Sequence, residues 1–167
     1  MLAKSLVVVG TALALWLSDT SMGSVESHQP IDGRAAFERL RGLVGTWSFT
    51  VDGRRVSDEA TFRMAARDRV LVEDMGGMVT MYHLDGDKLM LTHYCNAGNQ
   101  PRMRMTKGDD DNIAFEMYDI TNLASPTSYH SNTLNVKFVG PDHVVLTYGG
   151  KSGRKEPPQV FELKRKK

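Results

Sequence analysis

The chain has 167 residues and a formal net charge of +1, set by 21 basic and 20 acidic side chains. A hydrophobic fraction of 41% with 25% charged residues is that of an ordinary globular protein and excludes a disordered tail or a collagen. A single cysteine excludes a disulfide-stapled mini-protein, and the near-neutral charge argues against a dedicated nucleic-acid binder.

Met1 to about Gly23 has the layout of a secretory signal peptide. Lys4 gives a positive start, Ser5–Leu17 is apolar, and the small residues Ser21 and Gly23 precede a cut before Ser24. A membrane-spanning helix needs about 20 apolar residues, more than this core supplies. The expectation is an exported protein, periplasmic or secreted, with no stable membrane anchor after cleavage. Cys95 has no partner in the chain for a disulfide, so it is either a buried, inert thiol or a thiol in use.

The polar stretch Ser24–Ile31 reads as a flexible linker, and residues 32–167 as one domain. Asp32 is suited to cap a short helix over Arg34–Arg41, with Ala36, Phe37 and Leu40 on one face and Gly42 at its end. From Gly45 the period changes to two: Trp47, Phe49 and Val51 alternate with Thr46, Ser48 and Thr50. Asp52-Gly53 then marks a tight hairpin turn. Further strands are expected near Arg55–Ala65, Arg69–Asp74, Met78–Leu84, Lys88–Tyr94, Arg102–Lys107, Ile113–Tyr118, Ser131–Phe138, His143–Tyr148 and Gln159–Lys164. Even spacing and little helix predict an all-β fold, an antiparallel meander of about ten strands after a short N-terminal helix. A barrel is favoured over a sandwich because closure removes exposed edges.

A two-residue turn at Asp85-Gly86 would pair Tyr82 with Leu89 and Thr80 with Leu91. Met78, Thr80, Tyr82, Leu89, Leu91 and His93 then share one face, taken as inward because Lys88 and His83 on the other favour solvent. Other inward sets are Ala60, Phe62 and Met64; Met103 and Met105; Ile113, Phe115 and Met117; and Leu134, Val136 and Phe138. Ten methionines suit an adaptable cavity lining or a plain core.

The richest chemistry lies in Thr92–Arg102, where a strand runs into a Gly/Pro loop carrying His93, Tyr94, Cys95, Asn96, Asn99, Gln100 and Arg102. The i, i+2 spacing of His93 and Cys95 fits a base beside a thiolate, two soft metal ligands, or a polar rim for a ligand. Equally, the amides cap the loop and Arg102 pairs with an acid. No orienting third group stands at a recognisable spacing. His28, His83, His93, His130 and His143 form no metal-site motif, and none is assigned to a metal. Asp109–Asp111 reads as a solvated turn, Gly149–Gly153 lacks the spacing of a phosphate loop, and Lys164–Lys167 reads as a solvated tail.

The run FERLRGLVGTW, Phe37–Trp47, resembles the start of lipocalin-like (calycin) barrels, a short helix followed by a G-x-W strand. That resemblance implies that Trp47 packs at the closed end of a barrel. Met78–Met103, MVTMYHLDGDKLMLTHYCNAGNQPRM, is similar to a group of uncharacterised exported bacterial proteins with lipocalin-like barrels, from which no activity carries over. The chain departs from the fatty-acid-binding pattern: no helical lid follows the first strand, and a late Arg-x-Tyr is absent from Val160–Arg165. It departs from haem-binding nitrobindins too, with Ser48 and Phe49 in place of further glycines and its last histidine, His143, before the final strand. No cofactor is assigned; haem on His93, His130 or His143 stays as the alternative.

The functional expectation is a non-catalytic barrel that binds a small, mostly apolar molecule. Tyr82, His93 and Arg102 are the expected polar contacts, and Met103, Met105 and Phe115 the expected lining. The alternatives are a filled structural or interaction module, of open oligomeric state, and a thiol-dependent enzyme using Cys95 with His93.

Overall fold

The computed structural model describes residues 29–167; the expected signal peptide and residues 24–28 of the linker lie outside them. One helix, α1 (Gly33–Arg41), precedes ten strands: β1 (Gly45–Val51), β2 (Arg54–Ala65), β3 (Val70–Met75), β4 (Met78–Asp85), β5 (Lys88–Tyr94), β6 (Gln100–Gly108), β7 (Asn112–Thr121), β8 (His130–Gly140), β9 (His143–Lys151) and β10 (Lys155–Arg165). Each strand pairs antiparallel with its sequence neighbours, and β1 pairs with β10 to close the barrel. The all-β fold expected from strand spacing is the one observed. Closure leaves no sheet edge to recruit another chain.

Local chemistry explains the elements. The Asp32 carboxylate accepts the Ala35 N–H at 2.8 Å, satisfying one of the unpaired donors at the start of α1. Asp52 and Gly53 both have positive φ (48° and 77°), the two-residue turn whose twist matches a hairpin. Pro157 and Pro158 cannot donate to the β9 ladder, and the register breaks there between Glu156 and Gln159.

The apolar members of the inward sets read from alternation are all core or packed against it, and Thr80 and His93 are buried as well. The β4–β5 hairpin holds a correction. Its turn is Gly86-Asp87, and Asp85 pairs with Lys88, so Tyr82 faces Leu91 and Thr80 faces His93. The register differs by two residues from that of an Asp85-Gly86 turn. Because side chains alternate with a period of two, the expected inward face survives the shift intact.

The two ends of the barrel differ. At the closed end, α1 packs against β4, β5 and β6 and buries Ala36, Phe37 and Leu40. Trp47 is 1% exposed, meets Phe62 edge-on at 6.3 Å, and donates its indole N–H to the Leu43 carbonyl at 2.8 Å. Arg165 lies over the Trp47 ring at 4.2 Å. Its guanidinium donates to Gly42 O (2.7 Å), Val44 O (2.8 Å) and the Asp142 carboxylate (2.9 Å). One planar fork thus holds the carbonyls that follow α1, the last strand and the indole together. Arg165 is therefore part of β10 and of the packing, rather than of a solvated tail.

Candidate functional site

The opposite end opens into a cavity of about 520 Å³. Its wall is built by Phe49, Val51, Val56, Met78, Tyr148 and Phe161, with His93 reaching it from β5 and Cys95, Asn96 and Ala97 at the β5–β6 loop. Tyr129, Ser131 and Gln159 complete the far side, and Asp58 is the one charged side chain among the described lining residues. Tyr129 seats against β9 because residue 150 is glycine: a Cβ there would lie 2.7 Å from its ring. Of the Gly149-Gly150 pair, Gly150 makes room for this ring, and a Cβ on Gly149 would instead run into the Thr133 side chain. A second hollow, about 650 Å³, lies where Pro30–Gly33 passes Asp87–Leu89 and Met105–Asp109. It borders the first described residues, and no buried ionisable side chain lines it.

Beneath the cavity lies a buried polar row. In β3, Leu71, Glu73 and Met75 all point inward, so a carboxylate occupies a core position. Glu73 pairs across the sheet with Thr80, and Thr80 pairs with His93, which places the three side by side on β3, β4 and β5. Tyr148 reaches the row from β9 across the barrel. Tyr82 donates to Glu73 Oε2 at 2.6 Å and Tyr148 to Oε1 at 3.3 Å. Thr80 Oγ1 lies 3.2 Å from the Tyr148 hydroxyl and 2.9 Å from His93 Nδ1. The His93 ring also packs on Tyr148 at 5.0 Å, and Tyr148 meets Phe161 edge-on at 5.8 Å.

Burial sets the electrostatics. Glu73 is 2% exposed, and desolvation raises its pKa from 4.5 to about 7 against the opposing pull of the two phenol hydrogen bonds. Tyr82 and Tyr148 are pushed well above 10, first by burial and then by the adjacent carboxylate. Desolvation lowers His93 to about 4, so the imidazole at the cavity floor is neutral at physiological pH.

The residues singled out in the sequence are dispersed. His93 and Cys95 share the cavity wall. Tyr82 is inward but lies deeper, between Glu73 and the Phe115 ring at 5.9 Å. Arg102 is on the outer side of β6, its side chain 40% exposed and ion-paired with Asp119. It pairs in register with Thr92, one position from the inward His93, so alternation turns it away from the cavity. Met103 and Phe115 are core, and Met105 packs against the core beside Gly108 and the outer hollow. Among the histidines, His130 is held by the Ser128 carbonyl, and His143 pairs with Glu162 toward the closed end.

Cys95 follows the end of β5 and accepts the Ala97 N–H at 3.5 Å. His93 spends Nδ1 on Thr80. Neither Glu73 nor Tyr148 belongs to a motif that marks it as functional in the sequence. The available signal was an acidic residue in phase with Leu71 and Met75, a polar interruption of an inward-facing set. No family model matches the chain, and no curated protein matches it.

Proposed function

We propose that this is an exported, lipocalin-like barrel that holds a small, mostly apolar molecule in its open-end cavity without transforming it. The observation that carries the reading is the cavity itself. Its volume of about 520 Å³ lies within the ordinary span of small-molecule sites. Aromatic and aliphatic side chains dominate its wall, with a neutral imidazole at its floor. Export rests on the Met1–Gly23 pattern, and the lipocalin-like assignment on the helix and the Gly45-Thr46-Trp47 start, which leads into a closed ten-stranded barrel.

Native mass spectrometry of the protein purified from its own host tests the binding reading, with denaturing extraction and an absorbance scan of what is released. An extra mass lost on denaturation is the expected result, and a Soret band would identify that mass as haem. A bare chain that also takes up no apolar probe would defeat the reading. N-terminal sequencing of the same material is expected to begin at Ser24.

A second reading follows from Cys95 and His93 lining one cavity: a thiol-dependent activity. It requires rapid alkylation of Cys95 in the folded protein at neutral pH, slowed in His93→Phe. A thiol that resists the reagent removes this reading and leaves the binding one untouched.

A further inference from the structure

We infer that the cavity takes an uncharged molecule, apolar along most of its length, whose polar end donates a hydrogen bond from a hydroxyl or N–H group to Nε2 of His93. The inference rests on the binding reading and names its ligand class.

Each proton along the buried row has one place to go. With Glu73 ionised, Tyr148 gives its one phenolic hydrogen to Oε1. Toward Thr80, 3.2 Å away, the Tyr148 oxygen must therefore accept. The Thr80 hydroxyl also has one hydrogen, committed to Tyr148, so toward His93 Nδ1 at 2.9 Å it must accept as well. Nδ1 is then the protonated nitrogen. A neutral imidazole carries a single N–H, which leaves Nε2 bare, an acceptor on a residue 1% exposed that lines the cavity. Facing the cavity, Nε2 can be met by a hydroxyl or N–H of a bound molecule, whereas an apolar group seated over it would leave it without a donor.

The rest of the surroundings narrow the charge. The groups that face Glu73 are Tyr82 from β4, Tyr148 from β9 and, through Thr80, His93 from β5. Among the described residues no lysine or arginine lines the cavity, and its titratable side chains besides His93 and Tyr148 are Asp58, Cys95 and Tyr129. A carboxylate entering here would meet the Nε2 lone pair and the Asp58 carboxylate with no described cation to hold it. An ether or hydrocarbon of equal length would fill the space but leave Nε2 unmet.

The test is competition against a neutral apolar fluorophore, N-phenyl-1-naphthylamine, bound to the purified protein at pH 8.5, where Glu73 is ionised. Dodecan-1-ol, 1-methoxyundecane and dodecanoate are the competitors. The alcohol is expected to displace the probe at roughly tenfold lower concentration than the ether, and the carboxylate to be the weakest. In His93→Phe the alcohol and ether should converge, and in His93→Gln, which restores an acceptor, the preference should return. Equal competition by the ether or the carboxylate in the unaltered protein overturns this inference while the cavity reading stands. Failure of the probe and of every competitor to bind overturns both. Independently of any variant, nitrogen-15 NMR at pH 8.5 should show His93 protonated on Nδ1. Protonation on Nε2 contradicts the assignment.

Discussion

The two ends of the barrel solve the same problem differently. At the closed end, polar groups are paired within the protein: the buried Trp47 indole with Leu43, and the half-buried Arg165 fork with Gly42, Val44 and Asp142. At the open end, the buried row Glu73, Tyr148, Thr80 and His93 runs up to the cavity floor and stops with one nitrogen unspent. Complete internal pairing makes a plug. A chain of pairing that ends at a cavity leaves a polar group that a ligand could meet. Stability should therefore be concentrated at one end and ligand selectivity at the other.

The largest expected effect is at the closed end. Trp47→Ala removes a fully buried ring and its stack with Arg165, and should destabilise the protein by about 3–5 kcal/mol in urea unfolding. If the molecule stays folded, affinity at the open end should change little. Comparable loss of stability and of binding would break the comparison.

Next is the pH dependence of stability, which belongs to the buried row. Glu73 has its pKa raised from 4.5 to about 7 in the folded protein, so its contribution is complete below pH 4.5 and is lost as pH rises through 7. The difference is on the order of 3 kcal/mol. His93 is lowered from 6.5 to about 4, so its contribution is complete above pH 6.5 and is lost as pH falls toward 4. The two oppose each other between pH 4.5 and 6.5. Glu73→Gln should abolish the alkaline fall and expose the acid loss due to His93. His93→Phe should do the reverse. Urea midpoints across pH 4–8 check both, and parallel curves for the two variants would contradict the assignment.

Two smaller effects sharpen the contrast. Ala66, Arg67 and Asp68 in the β2–β3 turn at the closed end all have positive φ, a conformation that costs L-residues about 1–2 kcal/mol each. Ala66→Gly should therefore raise the urea midpoint by an amount corresponding to about 1 kcal/mol, less the flexibility glycine adds to the unfolded chain. At the open rim, Ala97 is exposed and borders the cavity. Ala97→Trp should leave stability within about 0.5 kcal/mol while weakening uptake of an apolar probe.

Strand alternation made most of the barrel legible in the sequence, because each inward face is a property of parity and not of exact register. The β4–β5 hairpin shows this: its turn lies one residue later than the Asp-Gly signal suggests, yet Thr80, Tyr82 and His93 still point inward. What parity cannot supply is depth along the barrel axis and contact across it. Tyr82 and His93 share a face, but Tyr82 lies among core side chains and His93 at the cavity. Tyr148 reaches Glu73 from a strand remote in sequence, a contact that only closure creates. Arg165 looked like one more charge in a basic tail, since its role depends on Trp47 and Gly42 lying beside it in space.

Methyl NMR of the methionines during titration with dodecan-1-ol checks whether a ligand enters the open-end cavity over His93. Met78 lines the cavity, Met103 is buried in the core, and Met105 lies toward the closed end beside the outer hollow. The account predicts a saturable shift of the Met78 methyl, with those of Met103 and Met105 nearly unmoved. Shifts at Met103 or Met105 with Met78 silent, or no shift at saturating alcohol, would contradict it.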